Sequence, residues 1–266
     1  MPLKVYAVVN QKGGVGKTTT AVNLAAALAK VPRRVLLVDL DPQGNATMGC
    51  GVDKRSLAQS IYPVLLGLCA PEEALISTDF GFHLLPANRE LAAAELELVG
   101  LEGRENRLGR ALRMLEGRHD IVVIDCPPSL SMLTLNALCA SEGVIIPMQC
   151  EYYALEGLSD LVNTVRKVQT NFNPRLQALG LLRVMFDARI TLAQQVSEQL
   201  AEHFGDKVFG AMIPRNVRLA EAPSHGVPGL VFDPGSRGAK AYLAFSEEFL
   251  ARIEGERWSD PAAQRV

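Results

Sequence analysis

Lys12-Gly13-Gly14-Val15-Gly16-Lys17-Thr18-Thr19 follows the short apolar run Leu3 to Val9 and opens an Ala-rich segment that extends to Lys30. The order is strand, glycine-rich loop, helix: β-branched residues suit a short buried strand, and Ala and Leu at helical spacing carry on from Thr18 to Lys30. Glycines free backbone amides to surround phosphate oxygens at a helix N-terminus, where the helix dipole also favours an anion. In a loop of this kind Lys17 neutralises β- and γ-phosphate charge, the Thr18 hydroxyl directly ligates the Mg²⁺ that bridges them, and Thr19 lies beside the α-phosphate. A ligand-free glycine turn would not explain two lysines flanking three glycines at a strand-to-helix junction. The ordinary pattern has glycine five residues before Gly16, where this chain has Gln11, so the loop is a variant marked by its extra lysine, Lys12.

Outward from the loop, strands are expected at Arg34 to Leu40, Phe82 to Leu85, Asp120 to Asp125, Val144 to Met148, Leu179 to Phe186 and Val208 to Ile213. Helices are expected over Glu90 to Val99, Asn106 to Leu115, Leu155 to Gln169, Ala193 to Phe204 and Tyr242 to Ile253. This alternation predicts an α/β fold, a doubly wound, mostly parallel sheet with helices on both faces and ligands beyond the carboxyl ends of the strands. Residues 1–254 are expected to form a single ATPase domain, with 255–266, including Trp258 and Pro261, a frayed tail.

Composition agrees. Among 266 residues 48% are hydrophobic and only 6% aromatic, which suits a parallel sheet covered by helices. No apolar run approaches the roughly 20 residues of a membrane span, and the first strand starts too early for a signal peptide, so a cytoplasmic protein is expected. The five cysteines form no CxxC pair, which argues against a disulfide framework or zinc site. The four histidines, His83, His119, His203 and His225, are scattered and read as structural. A net charge of −2 leaves room only for a local nucleic-acid contact.

Two acidic stretches complete the chemistry. Asp39-Leu40-Asp41-Pro42-Gln43-Gly44-Asn45 ends the second strand and brings two carboxylates to the ligand edge of the sheet. Asp125 follows Ile121-Val122-Val123-Ile124 and precedes Cys126-Pro127-Pro128-Ser129, the setting of an aspartate that holds Mg²⁺ through water. Turn chemistry alone would account for Asp41 before a proline. A buried strand-end carboxylate such as Asp125 is costly without a cation.

The octet resembles the deviant Walker A loop of the ParA/MinD family of P-loop ATPases. That resemblance implies that Lys12 reaches across an ATP-bound homodimer to the partner's nucleotide, that Gly13 faces the opposing subunit, and that hydrolysis waits for dimerisation. The Asp39 stretch resembles the family's switch I, in which Asp41 would position the attacking water and Asp39 would support the loop and, through water, the metal. Asp125-Cys126-Pro127-Pro128 resembles its DxPP switch II, which adds Pro127 to the nucleotide site. Ile213-Pro214-Arg215-Asn216-Val217-Arg218 resembles the stretch that packs against adenine, with Pro214 and Asn216 as its contacts. Asp233-Pro234-Gly235-Ser236-Arg237-Gly238-Ala239-Lys240-Ala241-Tyr242 resembles the closing DPxSxGAxAY segment. The match spans almost the whole chain; Val31-Pro32-Arg33 replaces a glycine turn and residues 58–79 match only loosely.

By the same resemblance the chain is expected to be a Mg-ATP-dependent partition ATPase of the ParA type, nucleoid-associated, slow alone and stimulated by a ParB-like centromere-binding partner. Its ATP dimer would bind double-stranded DNA without sequence preference through Arg189 and Arg218, with Arg215, Arg237 and Lys240 as further candidates. A MinD-like membrane-associated regulator is the alternative; it would need a basic amphipathic C-terminal helix, whereas here the end of the chain carries Glu247, Glu248, Glu254 and Glu256. An iron–sulfur reductase cousin would need cluster cysteines that Cys126 and Cys150 do not provide.

Overall fold

The structure, a computed structural model, describes residues 2–152 and 154–255; Trp258, Pro261 and Glu256 lie outside the described residues. Eight strands form one sheet: β1 (Lys4–Val8), β2 (Val35–Asp39), β3 (Ile76–Ser77), β4 (His83–Leu85), β5 (Ile121–Asp125), β6 (Gly143–Met148), β7 (Gln177–Phe186) and β8 (Val208–Pro214). The helices run in chain order from α1 (Lys17–Leu28) to α12 (Arg237–Glu254), with α3 (Ile61–Leu66), α4 (Pro71–Ala74), α5 (Leu91–Glu97), α9 (Thr191–Phe204) and α11 (Gly229–Phe232) among them. Their order is β3-β4-β2-β5-β1-β6-β7-β8, and every pairing is parallel except β3 with β4. The crossover from β1 leads past β5 to β2, whereas the one from β5 leads past β1 to β6. The chain thus winds both ways from its centre, and a crevice opens at the carboxyl ends of β1, β2 and β5.

The period of two along each strand explains the two cores. Val5 and Ala7 of β1, Leu36 and Val38 of β2, and Val122 and Ile124 of β5 face one side, where α6 (Arg107–Met114), α7 (Met132–Ala140) and α8 (Ala154–Asn171) cover them. Tyr6 and Val8, Val35 and Leu37, and Ile121 and Val123 face the other, beneath α1 (Lys17–Leu28) and α12 (Arg237–Glu254). Leu158, Leu161, Val165 and Val168 are buried at the spacing of one helix face, as the sequence pattern requires.

Four features depart from the sequence-based reading. Helix α7 escaped it because Met132–Ala140 is apolar almost all round and has no periodic face; Leu133, Asn136, Ala137 and Leu138 are all buried. Helix α12 begins at Arg237 rather than at Tyr242, because the Ser236 side chain accepts a hydrogen bond from the Ala239 amide and caps it. Leu96 and Val99, which helical spacing would place in the core, are 81% and 54% exposed. Glu248 is buried rather than part of an acidic surface: its carboxylate accepts from the Gly210 and Ala211 amides of the edge strand β8 and pairs with Arg252 at 2.7 Å.

At the opposite end of the sheet the fold joins two of the scattered histidines. His83 opens β4 and His119 precedes β5, and their ring nitrogens Nδ1 and Nε2 are 2.7 Å apart. Burial, and then the neighbouring His83, hold the His119 pKa down at about 4. An unfolded histidine takes up its proton near pH 6.5, so acidification favours the unfolded chain, and the stability contributed by neutral His119 is lost as the pH falls from about 6.5 toward 4. A loss on the order of 2 kcal/mol is expected over that window in denaturant titrations. His119→Gln should flatten the slope; an unchanged slope would remove His119 as its cause.

Candidate nucleotide site

Parallel register brings the chemistry together. Asp39 of β2 and Val8 of β1 both lie level with Asp125 of β5, so two carboxylates and the root of the glycine loop arrive side by side. Asn10 anchors the loop at its start: its Nδ2 donates to the Pro147 carbonyl at 2.8 Å and its Oδ1 accepts from the Lys12 amide at 2.9 Å. Gly14 and Gly16 have φ of +73° and +74°, a left-handed conformation that strains any residue with a Cβ. Gly16 immediately precedes α1 and offers no capping side chain, so the first amides of the helix, which have no acceptor within it, remain available to an anion.

The two lysines part company here. Lys17 is 7% exposed and folds back over the loop, its Nζ donating to the Lys12 carbonyl at 3.1 Å. Burial lowers its pKa, and Asp125 opposes that fall. Lys12 points the other way, and its ammonium pairs with Glu151 at 2.5 Å, both side chains being about half exposed. Sequence reasoning did not find Glu151, which lies 139 residues away in a stretch without a motif.

Among the carboxylates, Asp39 is fully committed. One oxygen accepts from the Asp41 amide at 3.2 Å, and the other from the Thr47 amide and hydroxyl at 2.8 and 2.7 Å. Thr47, on the short helix α2 (Asn45–Gly49), in turn accepts from the Ala87 amide at 3.0 Å. Asp39 therefore grips the loop that follows it, and burial raises its pKa to about 6. Asp41 is nearly buried and closes a turn by accepting from the Gln43 amide at 2.9 Å. Asp125 is different: both oxygens are buried and neither accepts a hydrogen bond of ordinary geometry, although the Thr18 hydroxyl is close enough to favour the ionised form. Burial, and next the nearby Asp39, raise its pKa well above the carboxylate range.

These residues suit Mg²⁺. Three carboxylates with a single buried ammonium call for a cation, the donors are all oxygen, and Asp125 has lone pairs without partners. No group of three or more His, Cys, Asp or Glu among the described residues could cage a metal alone. That is the usual situation for Mg²⁺, which is completed by water and phosphate oxygens.

Beyond Gly16 a cavity of about 170 Å³ is bounded by Met185, Pro214, Asn216, Ala220 and Tyr242. Asn216 starts the helix α10 (Val217–Glu221), with its Oδ1 accepting from the Leu219 amide at 3.3 Å, which leaves its NH₂ to meet a ligand. Pro127 is buried directly after β5 and Cys126.

The basic candidates gather on the same edge of the sheet, Arg189 after β7 and Arg215 and Arg218 after β8, with Arg237 and Lys240 exposed at the start of α12. Arg189 is paired with Asp187 at 2.7 Å, and Arg218 with Glu221 at 2.9 Å and Asp233 at 3.5 Å. Exposed pairs of this kind add little stability and exchange readily for other anions.

A family model described as "AAA domain" matches residues 3–178. The chain is 54% identical to the chromosome-partitioning ATPase Soj of Thermus thermophilus, over 93% of this chain and 96% of that one. It is 53% identical to the sporulation initiation inhibitor protein Soj of Bacillus subtilis, over 93% of this chain and 98% of that one. Among solved structures it is similar, with a TM-score of 0.85 and 44% identity, to a cobyrinic acid a,c-diamide synthase of Mycobacterium smegmatis bound to an ATP analogue and magnesium, over 96% of this chain and 97% of that one.

Proposed function

This chain belongs to the ParA/Soj family of chromosome-partitioning ATPases, and from that membership we propose that it is an ATP-driven dimerisation switch that holds DNA in its ATP state and releases it on hydrolysis. The supporting observation is the division of labour between its lysines: Lys17 serves its own phosphate loop, while Lys12 is held outside it by Glu151. A cation aimed away from its own site is useful to a second subunit. Residues 1–254 act as one ATPase domain in this reading.

ATP enters with its phosphates in the loop of residues 12–19 and its base in the cavity beside Asn216. Bound Mg²⁺, held directly by Thr18 and through water by Asp125, would offset phosphate charge. Asp39 keeps the switch loop in place, and Asp41, carried on that loop, orients the attacking water. Lys12 from the opposing subunit then stabilises charge on the transferring phosphoryl group, so turnover follows dimerisation.

Arg189 and Arg218 exchange their carboxylates for DNA phosphates. With two phosphate contacts per subunit a dimer makes about four, and affinity is expected to fall roughly two orders of magnitude between 50 and 200 mM salt. A lone subunit makes half as many contacts and lets go, which ties DNA residence to the nucleotide. A ParB-like protein is the stimulating partner in this reading, and the nucleoid is the site of action. No helix among the described residues is long and apolar enough to cross a membrane.

The test is co-sedimentation with nonspecific duplex under ATP, ADP and no nucleotide at two salt concentrations. Binding is expected only with ATP, steeply salt-dependent and lost in Arg218→Glu. Binding that ignores the nucleotide, or survives the charge reversal, would refute the switch as drawn.

A further inference from the structure

Near its carboxyl end strand β7 carries one residue too many for its neighbour. From Arg183, level with Met212, to Phe186, level with Pro214, β7 advances three residues while β8 advances two. That is the count of a β-bulge, a device that re-aims a side chain beside a functional site. Within the bulge Met185 has φ +51°, and it is the one non-glycine residue in the left-handed region among those described. Glycine adopts that conformation freely; a residue with a Cβ does so under strain. The Met185 side chain borders the cavity next to Pro214, Asn216 and Tyr242. Its Cε lies 3.8 Å from where a Cβ on Gly16 would stand, and its sulfur accepts a hydrogen bond from Gln149 Nε2 at 2.8 Å. An adaptable side chain is thereby fixed at both ends, its backbone by the bulge and its thioether by an amide.

We propose that Met185 is the shelf on which the nucleotide base rests, a specificity-determining residue whose polarisable thioether packs on one face of the purine. The proposal rests on the reading of this cavity as the base site. Strain at one residue persists where its surroundings enforce it, and such residues cluster at ligand sites. A thioether against an aromatic face is a favourable contact that aliphatic carbon of the same bulk only partly reproduces. The Asn216 amide supplies the polar contact at the rim and Met185 the apolar one, so a bare triphosphate engages neither.

The full-length chain and its Met185→Gly, Met185→Leu and Asn216→Ala variants should be titrated with ATP and with inorganic tripolyphosphate, both with Mg²⁺, and melted without nucleotide. Met185→Gly is expected to weaken ATP roughly five- to tenfold, to leave tripolyphosphate within about twofold, and to melt no lower than the parent because the left-handed strain is gone. Met185→Leu, which keeps the bulk, should stay within about threefold of the parent for ATP. Equal weakening of both ligands in Met185→Gly would make the residue a prop for the phosphate loop and overturn the proposal. So would unchanged ATP affinity in Met185→Gly while Asn216→Ala weakens it. If neither variant changes ATP affinity, the cavity itself is not the base site and the proposal falls with that reading.

Discussion

Lys12→Ala is expected to bind ATP nearly as well as the parent chain and to hydrolyse it about a thousandfold more slowly, the loss typical of a charge supplied in trans to a transferring phosphoryl group. The structure separates this lysine from Lys17 on geometry alone. Lys17 is buried and lies over its own loop, so Lys17→Ala should fail at nucleotide binding. Lys12 is paired with Glu151 on the outside of that loop and, in the reading proposed above, acts on the opposing subunit's nucleotide. The pair is exposed and worth about 0–1 kcal/mol, so an approaching triphosphate can take the lysine from it. Fluorescent-nucleotide binding and phosphate release, each measured over a range of protein concentrations, divide the effect. Parent turnover should rise with concentration as dimers form, whereas Lys12→Ala should stay flat. Gly13→Val makes a companion: nothing lies within 4 Å of a Cβ at Gly13, so one subunit accepts the side chain, and the ATP dimer should vanish from a sizing column while binding persists. Parental turnover in Lys12→Ala would exclude the trans-acting role, and so would a loss of nucleotide affinity matching that of Lys17→Ala.

The phosphate loop and the strand ends were legible in the sequence because local residue types dictate them: glycines where φ must be positive, a β-branched run before Asp125, lysines in fixed places. Parallel strands between helices followed from alternating apolar segments. What stayed hidden is long-range or aperiodic. Glu151 meets Lys12 only because the end of β6 lies beside the end of β1. The bulge that places Met185 is a mismatch between two strands, invisible along either one. Helix α7 has no amphipathic face, and the exposure of Leu96 and Val99 depends on what their helix does not pack against. Asp39 was read as a support for both metal and loop; its hydrogen bonds show the hold on the loop, through a partner, Thr47, that no motif singled out. Arg189 and Arg218 are exposed as expected, yet each already has a carboxylate beside it, which charge counting along the chain does not reveal.

Asp125→Asn should change activity and stability in opposite directions. Without the carboxylate the site loses the ligand proposed to hold Mg²⁺ through water, and Mg-dependent turnover is expected to fall by about a hundredfold or more. The ligand-free chain should nevertheless become more stable. Asp125 is buried with both oxygens lacking hydrogen-bond partners, and Asp39 lies near enough to oppose its charge. Whether the ligand-free chain keeps that charge or takes up a proton, folding bears the cost, and a neutral side chain of the same shape removes most of it. The asparagine NH₂ leaves a smaller penalty of about 1–3 kcal/mol if it finds no acceptor, against several for an unpaired buried charge. A net gain on the order of 1–2 kcal/mol corresponds to a melting temperature about 2–8 °C higher for a chain of this size. Melting with and without Mg-ATP, alongside phosphate release, reads both effects. The parent should gain strongly from Mg-ATP and the variant much less, so that their order of stability reverses once ligand is added. A ligand-free variant that melts below the parent would make Asp125 a structural carboxylate, and undiminished Mg-dependent turnover would take the metal role from it.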